Sequence, residues 1–211
     1  MSESSLRESI VRYGRSMFER GLTFGSSGNI SARLDDGWLM TPTNVALDRL
    51  DPARLSKLDA DGRLLSGDPP TKESFLHIAM YRERATAKAV VHLHSTHSVA
   101  VSCLADVNAD DVLPPITAYY VMRVGSLPLV PYYPPGDLDL AEAVGKLAGK
   151  HQAVLLANHG PVVAGRSLDA AAQAIEELEE TAKLFLFLRH EKTRWLTPEQ
   201  VADIRKRYPI A

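Results

Sequence analysis

Apolar positions recur at helical spacing toward both ends of the chain, and between them they gather into short alternating or continuous runs bounded by Gly, Pro, Asn and Asp. Leu6, Ile10, Val11, Met17 and Phe18 predict an amphipathic helix over 5–20, opened by a Ser5/Glu8 capping box and closed at Gly21. Ile30, Ala32 and Leu34 alternate as a strand, Asp35-Asp36-Gly37 supplies a hairpin turn, and Trp38-Leu39-Met40 returns. A further hairpin is expected between Leu55 and Leu65, around Asp61-Gly62. Phe75, Leu76, Ala79 and Met80 predict a helix with Thr71 as its N-cap, and the β-branched lead of Val90-Val91-His92-Leu93-His94 favours a strand. Ser98 to Leu104 reads as a short buried helix, 105–117 as a surface excursion, 117–122 as a strand-like segment and Leu127 to Tyr133 as a Pro-bounded strand. A helix over 138–147 opened by Asp137, strands over 153–157 and 161–165, and helices over 170–189 and 198–207 complete the chain. In the helix over 170–189, Ala174, Leu178, Leu184, Phe185 and Leu188 form an apolar side wide enough for burial against another subunit, and Glu176 to Glu180 form a solvated acidic side.

Composition narrows this picture. The 211 residues, 45% hydrophobic and 24% charged, suit one compact domain over 1–211. A formal net charge of -2 without any Lys/Arg run argues against nucleic acid or an anionic membrane as partner. There is no uninterrupted apolar segment of the roughly 20 residues that a membrane span needs, and Met1-Ser2-Glu3-Ser4 lacks the order of a signal peptide, so a cytoplasmic protein is expected. A lone cysteine, Cys103, excludes an internal disulfide framework, and its place in the run Val99 to Leu104 reads as a small buried hydrophobe.

The chemistry centres on Ala89 to Ser98. On a strand, His92 and His94 project from one face while Leu93 packs into the opposite layer. Two imidazoles side by side suit a zinc-type cation, although an isolated buried histidine is more often a hydrogen-bonded core residue. His159, after the apolar run 155–157 and before Gly160, is a third nitrogen donor, and Glu73 supplies a carboxylate. His77, His97, His151 and His190 read as ordinary histidines, with His97 placed to support a neighbouring ligand. Phe24 to Ser31 is a Gly/Ser/Asn loop able to offer backbone N–H groups and hydroxyls to an anion, or else an ordinary turn. Thr41-Pro42-Thr43 and the helix start at Thr71-Lys72 could join it. Tyr119 and Tyr120 are adjacent and face differently, each a packing residue by default and a proton donor if near a metal site.

Ser27-Gly28-Asn29-Ile30-Ser31, Thr41-Pro42-Thr43, Lys72-Glu73, His92-Leu93-His94 and Asn158-His159-Gly160, in this order and at these separations, resemble the class II aldolase/adducin family. The resemblance spans nearly the whole chain. It implies a three-layer α/β/α domain with a mainly antiparallel central sheet, assembled as a homotetramer with sites at subunit interfaces. It implies His92, His94 and His159 as metal ligands and Glu73 as an acid/base that also ligates. Three imidazoles and a carboxylate suit Zn2+ best, with Mn2+ or Co2+ as alternatives. Family aldolases acting on sugar 1-phosphates usually carry two serines before the glutamate, and the epimerase branch an aspartate in its place. Thr71-Lys72-Glu73 with Leu76-His77 instead resembles the branch that decarboxylates 3-oxo-tetronate 4-phosphates to dihydroxyacetone phosphate and CO2 through an enediolate. On that reading the substrate is a small phosphorylated sugar acid, its phosphate held by Lys72, Thr71, Asn29, Ser26 and Thr43. Glu73 protonates C2, and Tyr119 or Tyr120, of the same or a neighbouring subunit, is a second proton donor. The alternatives are an aldolase forming dihydroxyacetone phosphate, a sugar-phosphate dehydratase, and a non-catalytic assembly module.

Overall fold

In the computed structural model the described residues are 2–134 and 136–210; Met1 and Ala211, the ends of the expected domain, and Pro135 lie outside them. The chain runs α1 (Glu3–Glu19), β1 (Asn29–Arg33), β2 (Gly37–Met40), β3 (Ser56–Asp59), β4 (Leu64–Ser66), α2 (Ser74–Glu83), β5 (Ala89–His92), α3 (Thr96–Ser102), α4 (Ala118–Arg123), β6 (Leu129–Val130), α5 (Asp139–Ala148), β7 (Ala153–Leu156), β8 (Gly160–Gly165), α6 (Leu168–Leu188) and α7 (Pro198–Arg207). The strands form one eight-stranded sheet in the order β4-β3-β2-β1-β5-β8-β7-β6. Every neighbouring pair is antiparallel except β6 and β7.

Strand alternation divides the core in two. Ile30, Ala32, Leu39, Val91, Leu155 and Val163 pack with apolar residues of α1, α3, α4 and α6 on one face. Trp38, Met40, Val90, Val154 and Val162 meet α2 and α5 on the other. The result is the expected α/β/α arrangement with a mostly antiparallel sheet. Among the described residues no helix is long and apolar enough to cross a membrane.

Several local expectations are corrected. Helix α1 is capped by Ser2, which accepts from the Ser5 N–H, so Ser5 lies inside the first turn and no Ser5/Glu8 box forms. The segment over 117–122 is helical, because Thr117 Oγ1 caps it by accepting from the Tyr120 N–H at 3.1 Å and Val121 packs with the core shared with α6. Alternation over six residues does not separate a strand from a capped helical turn. The stretch over 105–117 is not wholly a surface excursion, since Val112 and Leu113 return to the core. Cys103 is exposed, because it stands past the end of α3 while Val101 fills the core position. The acidic side of α6 is interrupted by buried Glu179, whose carboxylate accepts from the backbone N–H groups of His97 and Ser98 and from the Ser98 hydroxyl. Thr71 does not cap α2: its N–H is tied to Thr41 O at 3.1 Å, and Glu73 occupies the N-cap position instead.

At the junction of β7 and β8 the chain passes so close to β5 that a Cβ on Gly160 would stand 2.4 Å from Leu93 O. Gly160→Ala is therefore expected to destabilise the protein by about 1–3 kcal/mol. Urea unfolding measures this, and an unchanged midpoint contradicts the close approach.

Candidate functional site

Three histidines meet at one edge of the sheet. His92 ends β5, His94 follows two residues later, and His159 stands in the turn between β7 and β8, where Asn158 takes a left-handed φ of 56°. The Nε2 atoms lie 3.1 Å apart for His94 and His92, 3.1 Å for His159 and His94, and 3.3 Å for His92 and His159. Glu73, at the start of α2, completes the group: Oε1 is 3.1 Å from His159 Nε2 and Oε2 is 3.4 Å from His92 Nε2. One donor atom from each of the four residues lies within 4.8 Å of all the others.

Hydrogen bonding fixes the orientation of His92. Its Nδ1 is 2.8 Å from Pro161 O, and because a carbonyl only accepts, that nitrogen carries the proton and Nε2 presents a bare lone pair. Burial lowers the His92 pKa and pushes His94 down to about 4, so both rings are neutral near pH 7. Burial alone would raise the Glu73 carboxyl, but the adjoining His92 and His159 rings and a hydrogen bond from Asn29 outweigh it and hold the group well below the usual carboxylate range. Imidazole lone pairs that converge repel one another unless a cation lies between them. Three imidazole nitrogens and a carboxylate fit a divalent cation of the zinc type. His92 is fully buried, whereas His94, His159 and Glu73 open onto a cavity of about 840 Å³, so a cation there would face it.

Around this cavity stand Ser26, Asn29, Thr43, Thr71 and Lys72. Gly28, in the loop before β1, has φ 81°, and a Cβ there would meet Leu93 Cδ2 at 3.0 Å and His92 O at 3.1 Å. Lys72 is exposed to the cavity and, among the described residues, its ammonium pairs with no carboxylate. The Asn29 side chain is differently engaged than the sequence suggests. Its Nδ2 donates to Glu73 Oε2 at 2.8 Å and its Oδ1 lies 2.5 Å from His77 Nε2, so both ends of the amide are committed to the Glu73 side of the cavity.

The two tyrosines singled out in sequence do not line this cavity. Tyr120 is buried, with its hydroxyl 3.5 Å from Asp111, and Tyr119 is 58% exposed beside Arg123. His97 is turned toward Glu179, which its Nδ1 approaches at 2.8 Å, and so does not support a metal ligand. Asn44, Thr96, Tyr132 and Tyr133 line the cavity unanticipated. Tyr132-Tyr133 follow β6, which runs parallel to β7, so the two strands deliver Tyr132-Tyr133 and Asn158-His159 to the same edge. Sequence alone offers no distinction between this Tyr pair and the one on α4. Asn44 has a visible signal, as Asn is enriched in the left-handed conformation it adopts with φ 60°.

The sequence profile of the Class II Aldolase and Adducin N-terminal domain matches residues 8–186. A protein of Escherichia coli strain K12 named 3-oxo-tetronate 4-phosphate decarboxylase is 53% identical over 204 residues, 96% of each chain. The L-fuculose phosphate aldolase of the same strain is 33% identical over 188 residues, 88% of this chain and 85% of its own. The crystal structure of YgbL from Escherichia coli superposes with a TM-score of 0.94 at 52% identity, covering 96% of this chain and 99% of that one.

Burial holds folded His77 near 3 and His94 near 4, against an ordinary value of 6.5. Below about pH 6.5 the unfolded chain therefore binds more protons than the folded one, and the stability of metal-free protein is expected to fall as pH drops toward those values. Urea midpoints at about pH 7 and about pH 5 check the sign. A midpoint that rises on acidification contradicts it.

Proposed function

Because this chain belongs to the class II aldolase/adducin family, we propose that it removes the carboxylate of a 3-oxo-tetronate 4-phosphate as CO2 and releases dihydroxyacetone phosphate. The observation that carries this reading is the near-full-length identity to relatives bearing that decarboxylase name, well above the identity to the aldolase. Thr71-Lys72 beside Glu73 supports it from the cavity.

Lys72 holds the substrate phosphate by charge, and the hydroxyls of Ser26, Thr43 and Thr71 hold it by hydrogen bonds, which presents the 3-oxo acid to the histidines. His92, His94, His159 and Glu73 would hold a divalent cation, Zn2+ by donor type with Mn2+ or Co2+ as substitutes. Such a cation supplies Lewis-acid stabilisation of the negative charge that develops on the keto oxygen. The bond between C1 and C2 breaks, its electron pair stays on the substrate as an enediolate, and CO2 leaves. C2 then takes up a proton, so one proton is consumed per turnover. Glu73 delivers it, and because this carboxyl is ionised at rest it first takes that proton from solvent in the cavity, to which its side chain is 21% exposed. Of the two candidate tyrosines, Tyr120 is committed beside Asp111, and the exposed Tyr119 suits a second donor acting in the cavity of a neighbouring copy. That role goes with a homotetramer whose sites lie between subunits. A cytoplasmic setting accords with the lone Cys103.

The test is a coupled assay on metal-analysed protein, supplying each C2 epimer of 3-oxo-tetronate 4-phosphate and following dihydroxyacetone phosphate by NADH-dependent reduction. Dihydroxyacetone phosphate equal to CO2, lost on chelation, is expected. Cleavage of a ketose 1-phosphate with no decarboxylation would move the protein to the aldolase reading. Lys72→Ala is expected to lower kcat/KM by about 10–100-fold, as for removal of a charge-assisted phosphate contact of about 1.5–3 kcal/mol. An unchanged kcat/KM removes Lys72 from the phosphate site.

A further inference from the structure

Behind Glu73 lies a polar ladder that the mechanism above does not use. Glu73, His77 and Tyr81 recur at four-residue spacing along one side of α2, and Asn29, Ser31 and Arg33 recur at two-residue spacing along the facing side of β1. The two rows interleave. Asn29 Nδ2 donates to Glu73 Oε2 at 2.8 Å, Asn29 Oδ1 is 2.5 Å from His77 Nε2, and His77 Nδ1 is 2.6 Å from Ser31 Oγ. Ser31 Oγ is in turn 2.8 Å from the Tyr81 hydroxyl, and the Arg33 guanidinium covers the Tyr81 ring at 4.9 Å. His77 and Ser31 are fully buried, and Tyr81 is 2% exposed.

Donor and acceptor chemistry leaves one arrangement of protons. An ionised carboxylate only accepts, so the Asn29 amide turns its NH2 toward Glu73 and its carbonyl toward His77. His77 must then donate from Nε2, which leaves Nδ1 bare to accept from the Ser31 hydroxyl, and Ser31 accepts from Tyr81. Burial pushes the His77 pKa down to about 3, so the ring stays neutral and can serve as donor on one side and acceptor on the other. Removing the Nε2 donor would leave Asn29 Oδ1 without its partner and free the amide to turn, bringing an oxygen against the Glu73 carboxylate.

We propose that His77 is a positioning residue for Glu73: acting through Asn29, it fixes the carboxylate that both faces the histidine cluster and carries the proton to C2. This rests on the decarboxylase reading for its catalytic half, and on the four-residue cluster alone for its metal half.

The experiment compares His77→Leu, His77→Asn, His77→Gln, Asn29→Ala and the double variant Asn29→Ala/His77→Leu, reading Zn2+ affinity by competition with a chromogenic chelator alongside kcat and KM. Loss of a residue that orients a metal ligand typically costs about 10–100-fold in affinity or activity. That loss is expected in Zn2+ affinity and kcat for His77→Leu, with KM little changed. His77→Asn, too short to reach Asn29 but still polar beside Ser31, should behave the same way. His77→Gln, whose amide reaches the Nε2 position, should recover most of the loss. Since His77 acts through Asn29, the double variant should be no worse than Asn29→Ala. Additive losses, failure of Gln to rescue where Asn is tolerated, or variants with wild-type Zn2+ affinity and kcat in their folded fraction would overturn the proposal. If the wild-type protein proves not to decarboxylate, the function falls while the Zn2+ affinities still decide the role of His77.

Discussion

Three imidazole nitrogens held within 3.1–3.3 Å of one another impose the constraint to which the rest of this structure answers. Imidazole lone pairs aimed at a common point repel one another without a cation between them, and His92, fully buried, cannot turn its nitrogen to solvent. The fold supplies what the rings lack. Antiparallel pairing of β5 with β8 sets His92 opposite Val162, and Pro161 O pins the ring by its far nitrogen. Gly160 lets the turn carrying His159 come down against Leu93. Glu73 arrives from α2, on the layer that packs against the same sheet face as His92.

The cavity is divided by chemistry. One part of it has histidines and a carboxylate whose environment favours ionisation; another has hydroxyls and the ammonium of Lys72, which pairs with no carboxylate among the described residues. A ligand with one anionic end and one chelating end matches this division. Asn29 stands between the two, because its backbone opens β1 directly after the Ser26-Ser27-Gly28 loop and pairs with His92, while its side chain reaches Glu73.

Much of this was legible in the chain. Alternation placed the strands around His92, and the His92-Leu93-His94 spacing put two rings on one side with Leu93 in the other layer, where it packs with the core. Helix α4 was not legible, because a Thr cap and six mixed residues satisfy either backbone. The buried state of Glu179 was hidden too, since its partners, the N–H groups of His97 and Ser98, are remote in sequence. Tyr132-Tyr133 reach the cavity only through the parallel pairing of β6 with β7, which no local pattern announces. His77 was readable in principle: Glu73, His77 and Tyr81 form a four-residue repeat, but the repeat acquires meaning only when Asn29 and Ser31 are set opposite it.

The central claim is that His92, His94, His159 and Glu73 form one cation site. X-ray absorption at the zinc edge on protein loaded with one equivalent of Zn2+ tests it most directly. The account predicts a first shell of imidazole nitrogens at about 2.0–2.1 Å with oxygen from a carboxylate, and loss of one imidazole from that shell in His94→Ala. A spectrum without imidazole, or one that His94→Ala leaves unchanged, would contradict it.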